Sequence, residues 1–242
     1  MRVAKPWRSA ARTDQGKVRT RNEDAFLDCP QQGLWVVADG MGGHQGGDIA
    51  SQLVVASLSA LALQDDFDRR LNGVRQCLHW LNRRLGQELT VVAGHPTSIM
   101  GSTVVALLLE GSRAACIWAG DSRCYLWREQ RLYQLSKDHS LGQQLIDEQN
   151  MSVEDANAHP AAQALTRAVG AAQQLTLDVL ELQVHPGDTF VLCSDGLHNA
   201  VSRDAMGHAL GLDAPQVALQ FLFDEALRGA APDNLTAVVI GQ

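Results

Sequence analysis

The chain has 242 residues and is 45% apolar, long enough to bury the core of a single domain. Its formal charge of −7 excludes the basic face that a nucleic-acid binder needs, and offers no attraction to an anionic membrane. The five cysteines, Cys29, Cys77, Cys116, Cys124 and Cys193, are odd in number and none pairs at metal-knuckle or redox-motif spacing, which predicts free thiols in a reducing compartment.

The basic N-terminal stretch is not followed by an apolar h-region, so no secretory leader is expected. No apolar run approaches the roughly 18 residues of a membrane span. The expectation is a soluble, cytoplasmic protein with no membrane insertion.

In chain order, a strand opens at Ala25-Phe26-Leu27 and a second covers 34–38. Ile49, Leu53, Ala56 and Ala60 then recur at helical spacing after Asp48, read as a core-facing stripe. A cleaner stripe of Leu71, Val74, Leu78, Leu81 and Leu85 runs through 69–89. Apolar runs at 103–109, 114–118 and 124–127 predict strands, punctuated by Gly111 and Gly120-Asp121. The more polar stretch 141–158 predicts short helices. A strand at 189–193 follows Pro186-Gly187-Asp188. Val217, Ala218, Phe221 and Leu222 mark a further helix with Pro215 in its first turn, and a strand at 237–240 closes the chain. Continuous apolar runs predict strands buried on both faces. The middle connections are too short for βαβ crossovers. The predicted architecture is therefore one α+β domain over 1–242, antiparallel sheets with helices packed outside.

Acidic residues recur where these strands end. Asp39 follows Leu34-Trp35-Val36-Val37-Ala38 and precedes Gly40; Asp195 follows Cys193-Ser194 and precedes Gly196. Asp121 follows Ile117-Trp118-Ala119-Gly120, Asp233 precedes the closing strand, and Glu23-Asp24 precedes the first. A buried, ionised carboxylate is costly without a partner, and hard divalent cations prefer oxygen ligands. An Asp-Gly pair alone is a turn signal. Its repetition at strand ends points to a metal centre.

The motifs Arg19-Thr20-Arg21-Asn22-Glu23-Asp24, Val37-Ala38-Asp39-Gly40-Met41-Gly42-Gly43-His44, Gly101-Ser102-Thr103, Gly120-Asp121-Ser122-Arg123, Asp138-His139-Ser140, Leu165-Thr166-Arg167-Ala168-Val169-Gly170, Cys193-Ser194-Asp195-Gly196-Leu197 and Asp233-Asn234-Leu235-Thr236 occur in that order. Together they resemble the metal-dependent protein phosphatases of type 2C in their compact bacterial form, over about residues 11–240. The resemblance implies a central β-sandwich of two antiparallel sheets flanked on both sides by helix pairs, with the metals at one end. It implies a serine/threonine phosphoprotein phosphatase in which a hydroxide bridging two divalent cations attacks phosphorus.

By the same resemblance, Asp39 bridges the two core ions and the Gly40 carbonyl, Asp24, Asp195 and Asp233 complete their ligands. Glu23 acts through water, and Arg19 holds the substrate phosphate. Asp121 is either the ligand of a third ion or a plain turn residue. An oxygen-only site suits Mn²⁺ or Mg²⁺. Met41 stands where some members carry a histidine proposed as general acid, so that role is unassigned; His44 lies in the same glycine-rich turn. That turn is not a nucleotide loop, because no Gly-Lys-Ser/Thr follows. His79, His95, His159, His185, His198 and His208 have no zinc spacing and read as surface or core residues. The segment 140–160 occupies the place of the family's variable flap.

The implied partners are phosphoprotein substrates of a bacterial serine/threonine kinase, among them a forkhead-associated scaffold of a secretion system, met by a monomer. Two other readings use the same residues: a catalytically dead regulator, and a hydrolase of small phosphomonoesters.

Overall fold

A computed structural model describes residues 7–42, 46–61, 66–89 and 100–242. His44 and His95 lie outside these residues. Two antiparallel sheets face each other. One has the order β1 (Arg8–Asp14), β11 (Leu235–Gly241), β10 (Thr189–Cys193), β7 (Arg123–Arg128), β8 (Arg131–Gln134). The other has the order β2 (Asp24–Cys29), β3 (Leu34–Met41), β5 (Val104–Glu110), β6 (Arg113–Ala119), β9 (Asp178–Gln183), with the short β4 (Gly101–Ser102) pairing with the end of β3.

Alternation along each strand sends side chains to two different cores. Trp35 and Val37 of β3 meet Phe190, Leu192, Val238 and Ile240 between the sheets. Leu34, Val36 and Ala38 face the other way, onto α1 (Gly47–Ser59) and α2 (Phe67–Arg83). On the opposite flank, Val191, Cys193, Ala237 and Val239 meet α5 (Asp195–Ala200), α6 (Arg203–Leu210) and α7 (Pro215–Arg228). The layers are helix, sheet, sheet, helix. The central strands are apolar on both faces because both faces are covered. No helix among the described residues is long and apolar enough to cross a membrane.

The predicted strands all appear. Four others carried no apolar run: the two-residue β4, and β1, β8 and β9. The last three each lie at the edge of a sheet, where charged side chains and partial exposure are the rule. The stripe of α2 is buried as expected, from Leu71 to Leu81, and Leu85 continues it into a π-helical turn at Arg84–Leu89. In α1 the expected stripe is misplaced. Ala50, Val54 and Leu58 face the core, whereas Ile49 is 48% exposed. Apolar residues occur around most of that helix, so spacing alone did not select the face. Pro215 occupies the first turn of α7, where its missing N–H costs nothing. The stretch 141–158 resolves into α3 (Leu141–Gln149) and α4 (Val153–Ala158), capped by the Ser140 and Ser152 hydroxyls.

Leu78 is fully buried in α2 against the β3–β5–β6 face. We expect Leu78→Ala to lower stability by about 2–5 kcal/mol, read from urea unfolding with unchanged slope. A loss under about 1 kcal/mol would contradict the packing described.

Candidate active site

The antiparallel register of β2 and β3 places Asp24 directly opposite Asp39. Like charges across a strand pair repel, so the position is costly unless something neutralises it. Three further carboxylates arrive from separate segments. Asp195 opens α5 just after β10, so it begins a helix rather than merely turning the chain. Asp233 sits in the loop before β11, and Asp121 in the turn between β6 and β7. Asp39, Asp121, Asp195, Asp233, Glu23 and Arg19 line one cleft of about 330 Å³, with Gly40, Met41 and Thr103 in its wall. Asp24 lies buried beside it, 7% exposed.

Short polar side chains fix these acids in place. Asp39 N–H donates to Thr103 Oγ1 (3.0 Å), and Thr103 N–H returns a bond to Asp39 O (2.8 Å). The Ser102 hydroxyl also donates to Asp39 O, at 3.0 Å. Ser194 Oγ donates to Asp24 Oδ2 at 2.7 Å and accepts from Thr236 N–H at 3.0 Å. Asn234 clips the loops together: its amide donates to Gln15 O and Arg21 O, and its carbonyl accepts from Glu23 N–H, each at 2.9 Å. Glycine is required at two close approaches. A Cβ on Gly40 would collide with the Gly47 carbonyl, and one on Gly196 with the Asn234 carbonyl.

The electrostatics follow from crowding. Burial raises the pKa of Asp39 well above its ordinary value, and the charges of Asp24, Asp195, Asp121 and Asp233 add to it. Asp24 rises to about 6, through burial and then the Asp195 and Asp233 charges, against the Ser194 hydroxyl. Asp121 rises to about 7, through burial and then the charges of Asp195 and Asp138. Asp195 is raised by burial and by Asp233, and partly relieved by a hydrogen bond shared with Asp39. Glu23 is raised by burial and by Asp48.

Arg19 supplies the cleft's positive charge. Its Nη2 donates to Asp233 Oδ2 at 2.7 Å, and that bond raises its own pKa. Arg21 is not among the residues lining the cleft.

A hard divalent cation fits this donor set. The donors are all oxygen, their mutual repulsion is what such a cation would relieve, and Asp24 Oδ1 is buried with no hydrogen-bond partner. No three His, Cys, Asp or Glu side chains among the described residues already close on one point.

Residues 14–230 match the model of the protein phosphatase 2C family. The chain belongs to that family. Within it, the chain is 36% identical to the serine/threonine protein phosphatase PstP of Mycobacterium tuberculosis over 98% of its length, and spans 45% of PstP's length. PppA of Pseudomonas aeruginosa, described as a key regulatory component of T6SS, superposes with a TM-score of 0.90 at 42% identity, covering 98% of each chain. The PstP catalytic domain solved with 2 manganese ions superposes with a TM-score of 0.81 at 34% identity, covering 97% of each chain. The two-sheet, flanking-helix architecture expected from the motifs is the one observed, and divalent-metal dependence is in keeping with the family.

Motif reading named the acids and Arg19. It assigned no role to Thr103, Ser194 or Asn234, which hold them, although all three fall inside the quoted motifs. The segment after α4 brings Gln163 and Leu165 to the cleft wall, beside the place expected for the flap.

A carboxylate whose pKa is raised on folding keeps its proton longer in the native chain, so stability falls as pH rises through the interval between the two pKa values. For Asp121 that interval runs from 3.8 to about 7. In chelator we expect Asp121→Asn to match the wild-type Tm near pH 4 and to exceed it above pH 7. A variant that is less stable than wild type at the higher pH would show that the crowding is not repulsive.

Proposed function

We propose that the chain, read as one catalytic domain over 1–242, is a serine/threonine phosphoprotein phosphatase whose cleft holds two divalent cations, Mn²⁺ or Mg²⁺. The observation that carries the reading is the convergence of carboxylates from five separate segments on one cleft that also contains a single arginine. In this reading Asp24, Asp39, Asp195, Asp233 and the Gly40 carbonyl are the core ligands. Glu23 acts through water and Asp121 serves a third ion.

Bound cations supply Lewis-acid charge and lower the pKa of water in the cleft toward neutrality. The protein's own residues do the positioning. Asp39, clamped through its backbone by Ser102 and Thr103, cannot drift from Asp24 opposite it. Arg19 exchanges Asp233 for the phosphate of the substrate, for which a guanidinium is a bidentate partner. Met41 lies in the cleft wall and supplies no proton, so the proton for the leaving group comes from some other group.

The partners proposed are phosphoproteins made by a bacterial serine/threonine kinase in the cytoplasm, met by a monomer. The similarity to PppA, described as a key regulatory component of T6SS, supports a place in secretion-system signalling, with a forkhead-associated scaffold as one proposed substrate. A dead regulator would lack one of the carboxylates, and none is missing.

The test compares a phosphothreonine peptide with p-nitrophenyl phosphate. We expect turnover of the peptide to vanish in EDTA and return with Mn²⁺ or Mg²⁺. Asp39→Asn and Asp195→Asn should each lower kcat about 10²-fold or more. Arg19→Ala should chiefly raise KM, and Arg21→Ala should change little. Full activity in EDTA, or turnover of the small ester alone, would overturn the reading.

A further inference from the structure

His198 is a histidine that the proposed function does not use. It lies three residues after Asp195 on α5, so both side chains leave the same face of that helix. Its Nε2 is 3.1 Å from the carbonyl oxygen of Asp121. A carbonyl only accepts, so the proton of the ring is on Nε2. Nδ1 is buried and has no hydrogen-bond partner. The ring thus directs its Nε2–H bond to the backbone of the Asp121 turn. His198 does not line the cleft, which separates it from any direct part in the chemistry.

The turn is otherwise tied elsewhere. Gly120 N–H donates to His139 Nδ1 at 3.1 Å, and His139 N–H returns a bond to Gly120 O at 2.9 Å. The Ser122 and Thr103 hydroxyls meet at 2.7 Å, and Thr103 in turn holds Asp39. These bonds set Asp121 relative to Asp39. The His198 bond sets it relative to Asp195. A restraint is needed there, because the Asp195 charge acts on Asp121 and would drive the two apart.

We propose that His198 is a positioning residue that fixes the spacing of Asp121 and Asp195, and so sets the affinity of the weak cation site those two carboxylates share. The proposal rests on the reading of Asp121 as a cation ligand.

The experiment measures Mn²⁺ binding by isothermal titration, alongside kcat and KM for a phosphopeptide as Mn²⁺ is varied. It uses His198→Leu, which removes the donor, and His198→Gln, whose amide N–H replaces it. His198→Asn, too short to reach Asp121 O, replaces the leucine variant if that one misfolds. We expect the donor-less variant to lose about tenfold affinity at its weakest Mn²⁺ site, and to need correspondingly more Mn²⁺ for half-maximal kcat. KM for the peptide should be unchanged, and His198→Gln should restore most of the affinity. A variant that loses only thermal stability, equally in EDTA and in Mn²⁺, with a wild-type titration, overturns the proposal. Asp121→Ala run in parallel separates the two levels. If it loses the weak site while His198→Leu keeps it, the proposal alone fails. If it titrates as wild type, the reading of Asp121 fails and takes the proposal with it.

Discussion

Repulsion among carboxylates gathered at one end of a β-sandwich is the constraint around which the rest of this molecule is arranged. Asp24 and Asp39 face each other across adjacent strands, and Asp195, Asp233 and Asp121 close in from three other segments. Water would disperse that charge if the acids were exposed. Where they are withdrawn from water, they protonate, find a cation, or force the strands apart. The raised pKa values of Asp39 and Asp24 and the reach of Arg19 to Asp233 are two answers visible within the chain itself. A divalent cation is a third, in keeping with the PstP catalytic domain solved with 2 manganese ions.

The fold supplies the rigidity that such a site demands. Strands covered on both faces cannot slide without exposing one core or the other. The acids sit at the ends of these strands, where the chain leaves the sheet and side chains can converge. Hydroxyls and one carboxamide finish the work: Thr103 for Asp39, Ser194 for Asp24, Asn234 for the loops bearing Glu23 and Asp233. Asp121 is held less fully, by bonds to its neighbours and its backbone from His139, Thr103 and His198. A site built on it is accordingly the most easily tuned.

What could be read from the sequence follows burial. Strands β3, β5, β6, β10 and β11 announced themselves because each carries a run of at least four consecutive apolar residues. The edge strands β1, β8 and β9 did not, since solvent tolerates their charges. In α1 the small and apolar residues spread around the helix, so Ile49 looked like core and is half exposed. The acids and Arg19 were legible through ordered motifs. The pairing of Arg19 with Asp233 was not, because it joins residues 214 positions apart. Nor was the bond from His198, which has no metal spacing and acts through a backbone carbonyl that no sequence pattern marks.

The central claim is that the carboxylates of this cleft are a cation site whose charge Arg19 balances in part. Anomalous diffraction at the manganese edge, from crystals grown with Mn²⁺, tests it most directly. The account predicts manganese peaks in contact with Asp39, with Asp24 Oδ1 no longer unpartnered and Arg19 withdrawn from Asp233. A cleft without manganese at saturating Mn²⁺, with Arg19 still on Asp233, would contradict it.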